Sequence, residues 1–380
     1  MKHIAFIVAS PSTINSFMIE HISHLSKNYK ITVIANSKLG ELGQLHQQIE
    51  SNLVNFIDLP IQRNISLVRD FMCLVKLLSI LRCHKFDVVH TITPKAGLLG
   101  MLSSFFARTS YRFHTFTGQV WITRKGVLRH LLISIDKLIF RLSNHVLIDS
   151  PSQRDFLLSH FIVTRERSTV LGQGSISGVD ISKFEFNELD KSRIRSELTI
   201  PQDAFVNLFL GRLCKDKGLD ELLEAFLYNN RKGSKSYLLL VGPNEGKYTE
   251  SYLTSFKSNK IILLGPTSNP NQYFSASDLL VLPSYREGFG TTVLEAAANG
   301  IPTLASNIYG LSDAVVDKET GFLHEVKNVQ ELSSKMLQLE QDTNLTKRLG
   351  QQANVRVKEH FSSIHLSNEL VRFYKEKVGV

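Results

Sequence analysis

Apolar residues along the chain fall into short runs, separated by longer stretches in which they recur every three or four positions. In the first half HIAFIVAS, YKITVIAN, VNFIDLP, FDVVHTI, YRFHTFTG and HVLIDS are runs of strand length. Between them Phe17 to Ser26, Leu67 to Leu81, Gly97 to Ala107 and Val127 to Leu142 carry helical spacing. The second half repeats the alternation, with strands in AFVNLFLG, SYLLLVG, KIILLG, DLLVLPS and PTLAS. Its helices are expected at Leu219 to Tyr228, Tyr248 to Phe256, Asn271 to Ser275 and Thr291 to Asn299. Strands apolar on both faces, alternating with amphipathic helices, are the pattern of a parallel sheet covered by helices, so the spacing predicts an α/β chain of two doubly wound domains. The periodicity fades in LGQGSISGVDISKFEFNELDKSRIRSELTIPQD, where glycine and then charge take over. The join therefore falls there, with a first domain over residues 1–180 and a second over 181–361. A last helical stretch, Ile364 to Tyr374 within 362–380, is expected to extend back over the first domain.

A chain of 380 residues is long for one hydrophobic core and short for three, which agrees with two domains. The three cysteines, Cys73, Cys83 and Cys214, are widely spaced and form no CxxC pair, so neither a disulfide framework nor a thiolate metal site is indicated. A reducing cytoplasm fits this usage. The opening MKHIAFIVAS reads as a first buried strand, its apolar run being too brief for a signal-peptide core. No stretch of about 18 apolar residues without a charge occurs, so the expectation is a soluble chain, or one resting on a membrane surface.

Charge is unevenly distributed. Residues 1–180 hold 20 Lys and Arg against 11 Asp and Glu, and the remaining 200 residues hold 24 against 24, so the whole excess of +9 belongs to the first half. Within it Arg108, Arg112, Arg124, Lys125, Arg129, Lys137 and Arg141 face one acid, Asp136. Such a face is either a solvated surface or one that meets an anion: nucleic acid, phospholipid headgroups or a phosphorylated substrate.

In doubly wound sheets ligands bind beyond the carboxyl ends of the strands. After LFLG comes GRLCKDKG, which puts Arg212 and Lys217 on one strand-to-helix loop, a planar fork and a point charge suited to a diphosphate. After LLVLPS comes SYREGFGTTVLEAAANG, where Gly288 and Gly290 let backbone N–H groups approach a ligand and the helix from Thr291 directs its positive end at the same place. Each segment alone also suits a charged surface turn; two anion sites following two strands of one sheet favour the functional reading. Glu287 and Glu295 flank the glycines. Carboxylates there can accept hydrogen bonds from vicinal hydroxyls, which suits a nucleotide-sugar with ribose on one side and hexose on the other, although an exposed loop acid and a helix-stabilising acid are the plain alternatives.

These residues resemble the retaining glycosyltransferases of family 4, which have the GT-B fold. The resemblance covers nearly the whole chain and rests on the E-x7-E element from Glu287 to Glu295, the GRLCKDKG loop and GVD at Gly178 to Asp180, followed by GIPTLAS and ETGFL. It implies two Rossmann-like domains facing across a cleft, with Arg212 and Lys217 on the donor diphosphate, Glu295 on the ribose and Glu287 on the transferred sugar. Backbone groups of Gly288, Phe289, Gly290, Thr291 and Thr292 would line the same pocket, and His114 in YRFHTFTGQVW matches a family histidine that follows a strand and approaches the donor sugar. Many members carry adjacent glycines after the first strand; this chain has SPSTINSF there, with Ser12 and Thr13 as hydroxyl or amide donors. HTITPKAGLLG and HTFTGQVWITRKG look like a narrower bacterial group that extends polyprenyl-diphosphate-linked sugars in capsule, O-antigen or N-glycan assembly. That likeness implies a uridine diphosphate (UDP) sugar donor, a lipid-linked saccharide acceptor near Lys95, Arg124 and Lys125, and an anionic membrane surface on the inner face of the plasma membrane, against which Val127 to Leu142 would lie. It implies no nucleic-acid partner.

Leaving-group charge on a diphosphate calls for fixed donors, which Arg212, Lys217 and the helix end supply, so no metal or other cofactor is expected; the chain lacks a D-x-D motif. Retention of anomeric configuration follows from the resemblance alone. A dinucleotide oxidoreductase is disfavoured because GQGSISG does not match GxGxxG and leads into the domain join. A GT-B nucleotide-sugar epimerase and a non-catalytic protein binding anionic surfaces are the remaining alternatives, separated from transfer by donor turnover without acceptor and by surface binding without chemistry.

Overall fold

The structure, a computed structural model, describes residues 1–62, 66–255 and 258–379. It divides into two units, residues 1–178 with 363–380, and residues 179–362. Phe256, expected at a helix end, lies outside the described residues.

The first unit carries strands β1 (His3–Ile7), β2 (Lys30–Ala35), β3 (Val54–Asp58), β4 (Val88–Ile92), β5 (Tyr111–Phe116), β6 (His145–Ile148) and β7 (Ser168–Val170). Its helices are α1 (Pro11–Phe17), α2 (Ile19–Leu25), α3 (Gln44–Glu50), α4 (Leu67–His84), α5 (Pro94–Phe106), α6 (Gly126–Leu142) and α7 (Pro151–Ser159). The strands pair in parallel in the order β3-β2-β1-β4-β5-β6-β7. Because side chains alternate across a strand, each strand feeds two cores. One holds Ile14, Ile22, Leu25 and Leu45 from α1 to α3. The other holds Cys73, Leu77, Leu99, Ile139 and Leu157 from α4 to α7.

The second unit carries α8 (Glu188–Glu197), then β8 (Val206–Leu210), α9 (Leu219–Arg231), β9 (Tyr237–Val241), α10 (Glu250–Thr254) and β10 (Ile261–Leu264). There follow α11 (Asn271–Ser275), β11 (Leu279–Leu282), α12 (Thr291–Asn299), β12 (Thr303–Ser306), α13 (Leu311–Ala314) and β13 (Gly321–His324). Helices α14 (Val329–Gln341) and α15 (Thr343–His360) complete it. Its parallel sheet runs β10-β9-β8-β11-β12-β13. In each sheet the order reverses once, between β1 and β4 and between β8 and β11. Loops leaving those neighbours diverge to opposite faces and open a crevice at the strands' carboxyl ends.

After the second unit the chain returns to the first as α16 (Ser363–Val378). Leu366, Leu370, Phe373 and Tyr374 recur at helical spacing and are buried in the α1–α3 core. Two buried histidines tie the helix down: His21 Nδ1 lies 2.8 Å from Ser367 Oγ, and His90 Nδ1 lies 2.7 Å from the Tyr374 hydroxyl. His90 Nε2 lies 2.8 Å from Thr115 Oγ1. Burial disfavours the imidazolium at both, lowering His21 to about 4 and His90 to about 3.

Candidate active site

In the second unit the loops after β8 and β11 are locked together by local chemistry. Residues 215–217 make one 3-10 turn that ends on Gly218 in the left-handed region, φ +69°. A Cβ at Gly218 would stand 2.0 Å from the Pro283 carbonyl oxygen, so only glycine lets this turn rest on the end of β11. The Tyr285 N–H donates to the Asp216 carbonyl at 2.9 Å, Arg286 Nε lies 3.4 Å from Asp216 Oδ2, and the Tyr285 hydroxyl donates to Glu221. On this frame Lys217 pairs with Glu287, both mostly buried, and Ser284 Oγ donates to the same Glu287 oxygen at 2.9 Å. Arg212 pairs with Glu245 on the loop after β9, and that loop is held by the Leu213 N–H donating to the Pro243 carbonyl at 2.8 Å.

Helix α12 follows Gly290, φ +88°, whose lack of a side chain leaves the first-turn N–H groups without a side-chain cap. Thr291 and Thr292 are half-buried in that turn. Phe289 is turned inward and packs against Phe361 with ring centroids 5.3 Å apart, so only its backbone is free to line a site. Glu295 lies one turn further on. Among the described residues it forms no hydrogen bond or salt bridge, and although it is only partly covered as a residue, burial of its carboxyl raises its pKa to about 7, opposed by nearby Lys183. Lys183 is presented by a 3-10 turn over residues 182–184, which Asp180 caps by accepting from the Ser182 N–H at 3.1 Å and its hydroxyl at 2.7 Å. The GVD signature thus acts by shaping the turn that faces Glu295.

The structure brings Arg212, Lys217, Gly288, Gly290, Glu287 and Glu295 to the crevice edge of one sheet, and adds residues the motifs did not single out: Ser284 and Glu245, which hold Glu287 and Arg212, and Lys183. Ser284 was detectable as the polar residue two positions past an apolar strand; Glu245 carried no sequence signal.

The remaining expected residues belong to the first unit. His114 requires a correction, because it does not follow a strand but is the fourth residue of β5. Its ring lies against Gly97 of α5, its Nδ1 is 2.8 Å from Thr91 Oγ1, and it is 1% exposed. Burial lowers it to about 3, leaving a neutral core imidazole; Thr117, Gly118 and Gln119 are the residues that follow the strand. Ser12 and Thr13 sit in the first turn of α1, where Ser10 caps by accepting from the Ser12 N–H at 3.2 Å. Lys95, at the start of α5, forms an ion pair with Asp70 at 2.7 Å, whereas Arg124 and Lys125 are exposed just before α6. Among the described residues no group of three or more His, Cys, Asp or Glu is arranged to hold a metal ion.

Two family descriptions match the chain: Glycosyltransferase Family 4 over residues 14–174, and Glycosyl transferases group 1 over residues 190–356. The chain belongs to this glycosyltransferase family. The glycosyltransferase is 29% identical over 352 residues to the capsular polysaccharide biosynthesis glycosyltransferase CapM of Staphylococcus aureus, covering 92% of this chain and 90% of that protein. It is 26% identical over 311 residues to an Escherichia coli UDP-Gal:alpha-D-GlcNAc-diphosphoundecaprenol alpha-1,3-galactosyltransferase, covering 80% and 79%. Its fold is that of the crystal structure of Anabaena Alr3699/HepE in complex with UDP and glucose, with a TM-score of 0.79 over 99% of this chain and all of that one at 19% identity. The glycosyltransferase therefore has the GT-B arrangement of two parallel-sheet, Rossmann-like domains.

Proposed function

We propose that this glycosyltransferase moves a hexose or N-acetylhexosamine from a UDP-sugar to a polyprenyl-diphosphate-linked saccharide, with retention and without a metal. The observation that carries the reading is the Lys217–Glu287 pair, set on two loops at the point where the strand order reverses, beside Glu295, which has no hydrogen-bond or ion-pair partner among the described residues. The names of similar enzymes, with capsule assembly in one and a diphosphoundecaprenol acceptor in another, supply the acceptor class.

In this reading the free site is held by its own ion pairs, and the donor exchanges partners with them. The diphosphate takes Lys217 and Arg212 and the open N–H groups of α12, while Glu287, anchored by Ser284, turns its acceptor oxygens to the sugar hydroxyls. Glu295 accepts from the ribose. As the C1–O bond to the diphosphate breaks, its electron pair moves to the diphosphate, where the fixed cations and N–H dipoles stabilise the growing charge. The acceptor hydroxyl oxygen bonds to C1 on the same face, and its proton passes to the departing diphosphate. His114 takes no part.

A panel of UDP-sugars assayed with a synthetic polyprenyl-diphosphate monosaccharide tests this. The expected outcome is UDP release that depends on acceptor, with an α-linked product from an α-linked donor. Lys217→Ala, which removes a charge-assisted contact, should lower kcat/KM roughly 10- to 150-fold. Donor turnover independent of acceptor, an inverted linkage, or unchanged kinetics in the variant would each refute part of the reading.

A further inference from the structure

Helix α4 has two apolar faces, and only one of them is used. Cys73, Leu77 and Leu81 enter the core. Leu67, Val68, Phe71, Met72 and Val75 lie on another arc of the same helix, since positions one helical turn apart stack. All five are more than half exposed, with Leu67 at 83% and Phe71 at 66%. Scattered exposed apolar residues need no explanation, whereas five contiguous large ones do.

Their position is as informative as their number. In a parallel sheet with right-handed crossovers each helix runs against the strands, so the first turns of α4, α5 and α6 lie at the carboxyl edge, where ligands bind. The exposed apolar residues of α4 occupy its first half; its last turns carry Ser79, Arg82 and His84 on the outside. Helix α6 repeats the arrangement, with Val127 at 86% and Leu131 at 53% exposure in its opening turns. The three helices form one layer, α5 packing against both neighbours.

The charge of this layer selects the partner. Helices α4, α5 and α6 contain two acids, and neither is exposed: Asp70 pairs with Lys95, and Asp136 is buried, accepting from Trp121 Nε1 at 2.8 Å. The exposed cations include Arg69 and Lys76 beside the apolar face of α4, and Arg124, Lys125 and Lys137 around that of α6. Apolar side chains ringed by cations with no exposed acid match an interface of acyl chains beneath anionic headgroups. No helix among the described residues is long and apolar enough to cross a membrane, so the geometry is that of a helix lying in the interface.

We propose that the first half of α4, with the opening turns of α6, inserts into the surface of an anionic bilayer and brings the carboxyl edge of the first sheet to the headgroups. This rests on the lipid-linked acceptor of the proposed function, and its test needs no transfer activity. The purified chain is floated with vesicles of phosphatidylcholine, with and without about a quarter phosphatidylglycerol. Flotation is expected only with the anionic lipid, and Phe71→Ser with Met72→Ser should lower the bound fraction at least about tenfold while leaving the unfolding midpoint and the turnover of a short-chain, water-soluble acceptor unchanged. In a separate Phe71→Trp variant the introduced indole should shift its emission to the blue on anionic vesicles and be quenched by brominated acyl chains, after subtraction of the emission of the buried native Trp121 recorded in the unsubstituted chain. Equal flotation of the Ser variant, or an indole emission in the Phe71→Trp variant that ignores brominated lipid, overturns insertion. So does a dimer in solution that the Ser variant dissociates, because a second copy then covers the face. A chain that floats as expected yet transfers no sugar leaves this inference standing and removes the proposed function.

Discussion

Glu295 is a carboxyl held where water solvates it poorly and nearby Lys183 compensates only in part, which is why its pKa rises to about 7 from 4.5. The folded state therefore binds a proton more tightly than the unfolded one, so this group's contribution to stability is complete below about pH 4.5 and is lost as pH rises through about 7. A ribose hydroxyl donates best to the ionised form, so UDP binding should expel a proton and tighten as pH rises through that value. Calorimetry in buffers of different ionisation enthalpy counts the proton; Glu295→Gln should abolish the release and flatten the pH slope of stability, whereas unchanged release would assign the proton to the nucleotide. Arg212, Lys217 and Glu287 stood out in the sequence because they lie on loops that follow strands, and Glu295 because it sits in the helix that one of those loops enters. That Lys217 meets Glu287 was not, because their contact depends on β8 and β11 being neighbours, a fact of sheet order that no local pattern carries.

Helix α16 shows how an element is held in place by polar contacts inside an apolar groove. Tyr374→Phe keeps the ring but strands His90 Nδ1 in the core, so it should cost about 1–3 kcal/mol in denaturant unfolding. Since His21 and His90 are held near 4 and 3 against 6.5 in the unfolded chain, they favour the native state fully above about pH 6.5, and that contribution is lost as pH falls toward 3. The unfolding midpoint should drop over this window, and less steeply in His90→Gln; identical slopes would remove His90 from the account. Elements with strong apolar periods were visible in advance. β7 was not, being three residues of which two are Ser and Thr. Nor was α15, whose buried stripe of Thr346, Leu349, Gly350, Ala353 and Val357 hides a helical period behind small and polar side chains. His114 misled because its match to a family histidine outweighed the run YRFHTFTG, which already placed it inside a strand, where its imidazole turns into the core.

For the molecule as a whole, the second unit is one continuous segment with its own core, and the first is not. A fragment of residues 179–362 should unfold cooperatively on its own and bind UDP, measured by thermal melting with and without nucleotide; a fragment that folds but shows no shift would place essential donor contacts in the first unit. A fragment ending at residue 178 lacks α16 and leaves Tyr29 and Phe113, the ring partners of Tyr374 and Phe373, uncovered. That return of the chain has a consequence in time as well as in space. At about 5–20 residues per second of synthesis, roughly 10–40 s separate completion of residue 178 from delivery of the helix that closes its domain. The half made first is finished second, and while the ribosome works through the second half, an apolar groove with His21 and His90 at its base stands open to any chaperone in reach.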